Sequence, residues 1–124
     1  MTDSSIRSLT PLIHVASVPR SAAFYEQLGF EVKDSFTPPG SEEPSWASLW
    51  CGDGELMIAN GSGGGAEASE AKPVMLYVYC SDVEAKHAQL SQAGMNVGEV
   101  TKPFYNPNGE FSVRDPDGYS ISFA

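Results

Sequence analysis

Hydrophobic and polar residues alternate most clearly at the end of the chain, where large apolar residues and serines take turns between positions 119 and 123. This period of two is typical of a strand with one apolar face and one small polar face. The residues before it, 115–118, read Asp-Pro-Asp-Gly, which suits a tight turn because Asp caps it, Pro presets φ and Gly accepts a positive φ. The pattern therefore predicts a hairpin of strands 111–114 and 119–123.

The residues before position 60 predict a strand, a helix and three further strands. Ser17 and Pro19 indicate the start of the helix, and Gly29 suits the left-handed residue that follows a helix end. A turn-rich loop lies at 34–45, and a Gly-Asp-Gly turn joins the last two strands. The predicted strands are 11–17, 30–33, 46–51 and 55–59.

The same order of elements begins again after residue 73. Ser81 and Glu84 form a capping box with Ser81 as the N-cap, and the helix ends at Gly94. The predicted strands are 74–80, 95–97 and the two strands of the closing hairpin, with a second turn-rich loop at 98–109. The chain is thus predicted to be α+β, with a βαβββ module at about 9–60, a Gly- and Ser-rich linker at 61–73, and a second module at about 74–124.

Composition and charge narrow the functional classes. The chain has 124 residues, enough for one domain with a core, and its net charge of −9 argues against nucleic acid and favours a cationic small molecule. Solubility alone is an equally good reason for the acidic balance. No apolar run is long enough to span a membrane and no export signal is visible, so a cytoplasmic location is expected. Cys51 and Cys80 lack metal-type spacing and are predicted to be buried free thiols.

Two segments resemble the vicinal oxygen chelate superfamily, which includes glyoxalase I, extradiol dioxygenases and bleomycin-resistance proteins. They are FYEQLGFEV at 24–32 and FSVRDPDGYSISF at 111–123. The resemblance covers residues 10–124 and implies a single domain, 1–124, whose two modules form an open, cupped mixed sheet with the helices outside. It also implies a homodimer with ligand sites inside the cup. The linker is long enough for modules to be exchanged between chains.

Metal-using members of that superfamily carry His, Gln or Glu at four positions that face the cup. By spacing from the two motifs and the second helix, these positions fall on Thr10, Met57, Met75 and Ser122. Two thioethers and two hydroxyls are a poor set for a divalent ion, so neither a metal nor another cofactor is expected. The alternative is a non-standard metal site built from His14 and Glu55.

Strand parity gives a second, independent prediction of what faces the cup. If the apolar residues at alternate positions pack beneath the helices, their neighbours point the other way. Phe104 and Tyr105 are expected to overhang this surface, while the competing interpretation places rings such as Trp50 and Tyr79 in the core. The predicted ligand-binding residues are His14, Trp46, Trp50, Met57, Met75, Tyr77, Tyr79, Tyr105 and Ser122.

Among the branches of the superfamily, the chain looks closest to the bleomycin-resistance type, in which a planar cationic antibiotic binds between aromatic rings without reaction. Trp46 falls where that branch has a stacking ring, and Tyr105 stands near the opposing one. An acidic rim of Glu42, Glu43 and Glu110 would add attraction for a cation. The leading hypothesis is therefore non-catalytic sequestration of a planar, cationic small molecule.

Two enzymatic alternatives remain open. One is a metal-dependent lyase, isomerase or dioxygenase that uses His14 and Glu55 as ligands. The other is a metal-free enzyme with His14 as general base, although no orienting carboxylate is visible for it in the sequence.

Overall fold

The computed structural model describes residues 5–61 and 72–124, and the chain divides into two compact units between residues 64 and 65. The fold class is α+β, as predicted, with one helix and one mixed, open sheet in each unit. Most of the predicted linker, residues 62–71, lies outside the described residues. Neither described helix is long and apolar enough to cross a membrane.

The first unit contains all the predicted elements in the predicted order. Its four strands are arranged β1-β4-β3-β2, with β1 parallel to β4 and the other pairs antiparallel. The elements are β1 (Leu12–Val15), α1 (Val18–Leu28), β2 (Glu31–Phe36), β3 (Trp46–Cys51) and β4 (Gly54–Asn60).

Helix α1 begins and ends at the residues that the sequence indicated. The Ser17 hydroxyl accepts a hydrogen bond from the Arg20 amide at 3.2 Å, and Gly29 closes the helix with φ of 115°. One stripe of the helix packs against β2, β3 and β4. The buried residues of this stripe are Val18, Ser21, Tyr25 and Leu28.

The core of the first unit lies between α1 and one face of the sheet. Alternate residues of three strands are buried there, which confirms the parity expected from the sequence. Their neighbours therefore lie on the opposite face, away from α1, which we call the first far face. The buried core residues are Ile13 and Val15 on β1, Ala47 and Leu49 on β3, and Leu56 and Ile58 on β4.

The second unit has three strands instead of the predicted four. They are arranged β5-β7-β6, with β5 parallel to β7 and β6 antiparallel to it. The face that bears Phe111 and Phe123 carries α2, and we call the opposite face the second far face. The elements are β5 (Met75–Val78), α2 (Val83–Gln92), β6 (Phe111–Arg114) and β7 (Ser120–Phe123).

The strand predicted at 95–97 does not form. The Met95 amide donates to the Leu90 carbonyl as part of the helix end, so it is not available to a sheet ladder. Downstream, the chain is joined to the β6 side by a hydrogen bond from the Gly98 amide to the Ser112 carbonyl and by an isolated bridge between Thr101 and Glu110. The segment thus follows the edge of the sheet without becoming a strand.

The predicted N-cap of α2 is one residue too early. Asp82, not Ser81, has the extended backbone of an N-cap, and its carboxylate accepts a hydrogen bond from the Ala85 amide at 3.0 Å. Both residue types are good caps, so the sequence offered two neighbouring candidates. With Asp82 in this position, Glu84 lies in the first turn, where a negative charge is favourable, rather than in the reciprocal box predicted with Ser81.

His87 attaches α2 to the chain that follows it. Its Nε2 donates to the Gly98 carbonyl at 2.9 Å, since a carbonyl can only accept, and its ring meets Phe111 edge-on at 5.0 Å. Val83 and Leu90 are buried beneath the helix. His87 therefore has a structural role in the second unit.

The closing hairpin turns as the sequence predicts. Asp115 is buried, and its Oδ1 accepts hydrogen bonds from the Asp117 and Tyr119 amides at 2.9 and 2.8 Å. Gly118 takes φ of 92°, which a side chain would strain. The turn thereby fixes the register that brings Phe111 opposite Phe123.

The corrected N-cap leads to a testable difference between two adjacent residues. We expect Asp82→Ala to lower the free energy of unfolding by about 1 kcal/mol, because it leaves an amide of the first helical turn without its acceptor. Ser81→Ala is the matched control and should change stability by less than about 0.5 kcal/mol. Urea denaturation followed by circular dichroism measures both changes in stability. A larger loss for Ser81→Ala than for Asp82→Ala would show that Ser81 is the cap.

Candidate functional site

A hydrogen-bonded carboxylate lies on the first far face, near the hairpin that joins β3 and β4. Glu55 on β4 accepts a hydrogen bond from the Thr10 hydroxyl at 3.0 Å on one oxygen, and from the Ser48 hydroxyl at 2.5 Å on the other. The indole Nε1 of Trp50 donates to the Ser48 hydroxyl at 3.0 Å. The three donors hold both the carboxylate and the indole ring in fixed orientations.

The predicted ring residues of this face are partly accessible. Trp46 and Trp50 are half-buried at the two ends of β3, and Met57 is half-buried beside them on β4. The Nζ of Lys33 lies 4.9 Å from the centre of the Trp50 ring, a cation–π distance. One face of the Trp50 ring therefore already accepts a positive charge from the protein itself.

His14 and Glu55 lie at opposite ends of the first far face. In the register of β1 and β4, His14 is opposite Ala59, four residues from Glu55 and therefore about 13 Å away along the strand. The His14 ring also packs against Gly61, where an added methyl group would overlap it. The structure does not bring the two proposed alternative ligands together.

The four positions at which the family places metal ligands do not fit an ion. The Thr10 and Ser122 hydroxyls each donate to a glutamate, while Met57 and Met75 offer only thioethers. Divalent ions of the kind that this family uses need converging nitrogen or charged oxygen ligands. Among the described residues, no three His, Cys, Asp or Glu side chains form a group that could hold a metal.

Three tyrosines define the second far face. Tyr77 on β5 and Tyr79 just after it alternate with half-buried residues and are exposed, Tyr79 by 79 %. Their rings stack with centroids 6.3 Å apart and planes inclined by 23°. Tyr105 is also exposed, and Phe104 meets its ring edge-on. The alternative that Tyr79 fills the core is therefore wrong.

The three tyrosines line a groove of about 700 Å³ that lies entirely within the second unit. Its wall also includes the start of α2, whose Asp82 and Glu84 carboxylates are exposed. Within the described part of the chain, no lysine, arginine or histidine lines the groove. From the sequence, Glu84 was expected only to cap the helix, because the approach of these acids to the tyrosines depends on how α2 follows β5. The remaining lining residues are Cys80, Ser81, Val83, Asn106, Asn108 and Ala124.

Glu110 does not belong to an exposed acidic rim, in contrast to the prediction. Glu42 and Glu43 are exposed, but Glu110 is only 8 % exposed, at the start of β6. Its Oε2 accepts a hydrogen bond from Ser122 at 3.1 Å, whereas its Oε1 is buried and has no hydrogen-bond partner among the described residues. Ser122 is likewise buried, and its hydroxyl donates to Glu110.

Tyr105 connects Glu110 with the groove. The neighbouring Glu110 carboxylate raises the pKa of the Tyr105 hydroxyl, because it accepts the hydrogen of the protonated phenol, while desolvation and the negative charge of Glu110 disfavour the phenolate. The loop that carries Tyr105 is closed by paired backbone hydrogen bonds between Thr101 and Glu110, at 2.8 and 2.9 Å. Glu110 thus holds the base of this loop and also lies near Tyr105.

The two cysteines are free, as predicted, but only half-buried. Burial raises the pKa of both thiols, so they stay protonated near neutral pH. Cys80 therefore contributes a neutral, polarisable surface to the groove.

Comparison with known proteins places this geometry in a family. Residues 8–123 match the family described as Glyoxalase/Bleomycin resistance protein/Dioxygenase superfamily. A search of curated proteins finds no match.

Solved structures with the same fold include proteins of different activities. A protein named SMU.1112c is 28 % identical, with a TM-score of 0.73 over 95 % of this chain and 98 % of that one. A bleomycin-binding protein complexed with bleomycin is 21 % identical, with a TM-score of 0.71 over 95 % and 97 %. Lactoylglutathione lyase from Agrobacterium tumefaciens is 17 % identical, with a TM-score of 0.66 over 94 % and 91 %.

At sequence identities this low, the similarity shows a common fold, and any activity has to be argued from the residues of the site. The family match covers nearly the whole chain, and the resemblance noted in the sequence is confirmed. The chain belongs to the glyoxalase/bleomycin resistance protein/dioxygenase superfamily.

Proposed function

We propose that the protein binds and sequesters a planar, cationic aromatic small molecule without transforming it. The observation that carries the proposal is the groove bounded by Tyr77, Tyr79 and Tyr105 with the carboxylates of Asp82 and Glu84 at its wall. Rings supply contact area for a flat ligand, and the acids supply attraction for its charge.

The size of the groove suits a ligand of this kind. Small-molecule sites commonly have volumes of about 300–1,000 Å³, and the groove of about 700 Å³ falls within that range. The offset stacking of Tyr77 and Tyr79 leaves Tyr79 largely exposed to a third ring. Each additional ring pair contributes about 0.5–1.5 kcal/mol beyond the area it buries.

The electrostatics of the groove favour a positive ligand. Asp82 and Glu84 line it, no basic residue of the described chain is among its lining residues, and the whole chain carries a charge of −9. Such a field attracts cations from a distance and raises their local concentration. On the first far face, the ammonium group of Lys33 above the Trp50 ring illustrates the same cation–π chemistry.

The bleomycin-binding relative supports this branch of the superfamily over the catalytic ones. That protein has the same fold and is named for binding an antibiotic rather than for a reaction. The lyase relative shows that the fold is equally compatible with catalysis, so the argument depends on the residues and not on the fold. Here the metal-ligand positions carry hydroxyls and thioethers, which supports binding without chemistry.

Removing a groove ring should weaken binding without unfolding the protein. We expect Tyr79→Ala to lower the affinity for ethidium, a planar cation, about 5- to 10-fold, because one stacking surface is lost. Phe36→Ala is the matched control, since Phe36 is an exposed aromatic residue on β2, outside the groove. Isothermal titration calorimetry measures both variants. Equal affinities for Tyr79→Ala and wild type would show that the groove is not the binding site.

The metal-dependent enzyme is the competing function, and metal content separates the two. We expect protein purified without chelators or an affinity tag to contain less than about 0.1 metal ion per chain, because its four family positions offer no adequate ligand set. Elemental analysis for Zn, Ni, Mn and Fe provides the measurement. Stoichiometric metal would favour a lyase, isomerase or dioxygenase instead.

We further propose that the protein acts in the cytoplasm as a homodimer, by analogy with the superfamily. Multi-angle light scattering at micromolar concentration should give twice the mass of one chain. A single-chain mass under these conditions would contradict the dimer and leave the groove, which lies within one unit, unaffected.

A further inference from the structure

Trp50 lies between two acidic residues on the first far face. In the register of the sheet, Glu31 on β2 and Glu55 on β4 are each directly opposite Trp50 on β3. Directly opposite residues of neighbouring strands share a face of the sheet, with Cβ atoms about 5 Å apart. The ring and the two acids therefore form one surface, which we call the Trp50 surface, and each of its three members favours a positive charge.

Hydrogen bonds hold the Trp50 ring in one orientation. Its Nε1 donates to the Ser48 hydroxyl at 3.0 Å, and this hydroxyl donates to the Glu55 carboxylate at 2.5 Å. Ser48 is buried, so the middle member of this chain of hydrogen bonds is fixed by the sheet. A cation that approaches the face of the indole ring thus meets a partner that is already in position.

The ammonium group of Lys33 occupies this surface. Its Nζ lies 4.9 Å from the centre of the Trp50 ring, within the range of a cation–π interaction. Lys33 stands where the pairing of β2 with β3 shifts, between Val32 and Asp34, and it has no directly opposite residue on β3. Such an irregularity gives one strand an extra residue and redirects its side chain. Here the redirected side chain extends over Trp50.

We propose that the Trp50 surface is a cation-binding site that the protein closes to cationic ligands with its own Lys33. A tethered cation is present at a high effective concentration and competes with any free cation for the ring. Its charge also repels a second cation nearby. Trp50 thereby has an internal partner in place of the external ligand expected from the sequence. This inference concerns the first unit alone and does not depend on the function proposed for the groove.

Fluorescence quenching of Trp50 tests the inference. Nicotinamide and 1-methylnicotinamide have closely similar rings, and at pH 7 only the second is a cation. The chain has two tryptophans, so Trp50 is the sole one in a Trp46→Phe background. In that background we expect Lys33→Met to raise the quenching constant of 1-methylnicotinamide about fivefold, because the competing cation and its charge are removed. The constant for nicotinamide should rise less than about twofold, since a neutral ring gains no cation–π contact.

Two control variants separate the charge of Lys33 from access to the ring. Lys33→Arg keeps a cation over Trp50 and should leave both constants within about twofold of the parent. Lys102→Met removes one positive charge at an exposed lysine of the second unit and should have as little effect. Equal rises for the two quenchers in Lys33→Met, or no rise for either, would refute the internal competitor. If Trp46→Phe lacks a native circular dichroism spectrum, the same comparison in the wild-type background decides the inference, with Trp46 contributing to both proteins.

Discussion

The period of two along each strand is the constraint on which the structure depends. Once alternate residues of a strand are buried beneath its helix, the intervening residues must lie on the other face of the sheet. Ile58 and Ile121 are fully buried in this way, and the residues next to them determine the chemistry of the far faces. Packing under the helices therefore leaves the far faces free to carry rings, hydroxyls and glutamates.

Hydroxyls on the far faces orient carboxylates where other members of the superfamily would orient an ion. Thr10 donates to Glu55 and Ser122 donates to Glu110, so each half pairs a hydroxyl at a metal-ligand position with a glutamate on a neighbouring strand or its end. A carboxylate that accepts such bonds is already partly neutralised and held in place. In this arrangement the two hydroxyls donate to carboxylates, and neither position offers the nitrogen or charged oxygen ligand that a divalent ion needs.

Local patterns predicted most of the fold, because each signal acts within a few residues. Ser17 caps the start of α1, Gly29 ends it, and Asp115 accepts the amide hydrogen bonds of the closing turn, as expected for these residue types. The two family motifs predicted the order of the elements. The wrong predictions concern positions at which neighbouring residues or elements compete for the same role. Ser81 and Asp82 are both good N-caps. The strand predicted at 95–97 does not form because the Met95 amide donates to a carbonyl at the end of α2. Parity placed the rings correctly, but it could not reveal that Glu110 is buried, since burial depends on distant contacts.

The two glutamates differ in their surroundings. Glu55 accepts hydrogen bonds on both oxygens within its own unit, from Thr10 and Ser48. Glu110 is buried, accepts a hydrogen bond from Ser122, and also holds the base of the loop that carries Tyr105. Both carboxylates therefore orient their surroundings and are not exposed to solvent as free charges. Stacking depends on the shape and charge of a ligand and not on its hydrogen-bond donors. Under the proposed function, the rings of the groove thus explain a preference for flat cations but not a choice among them.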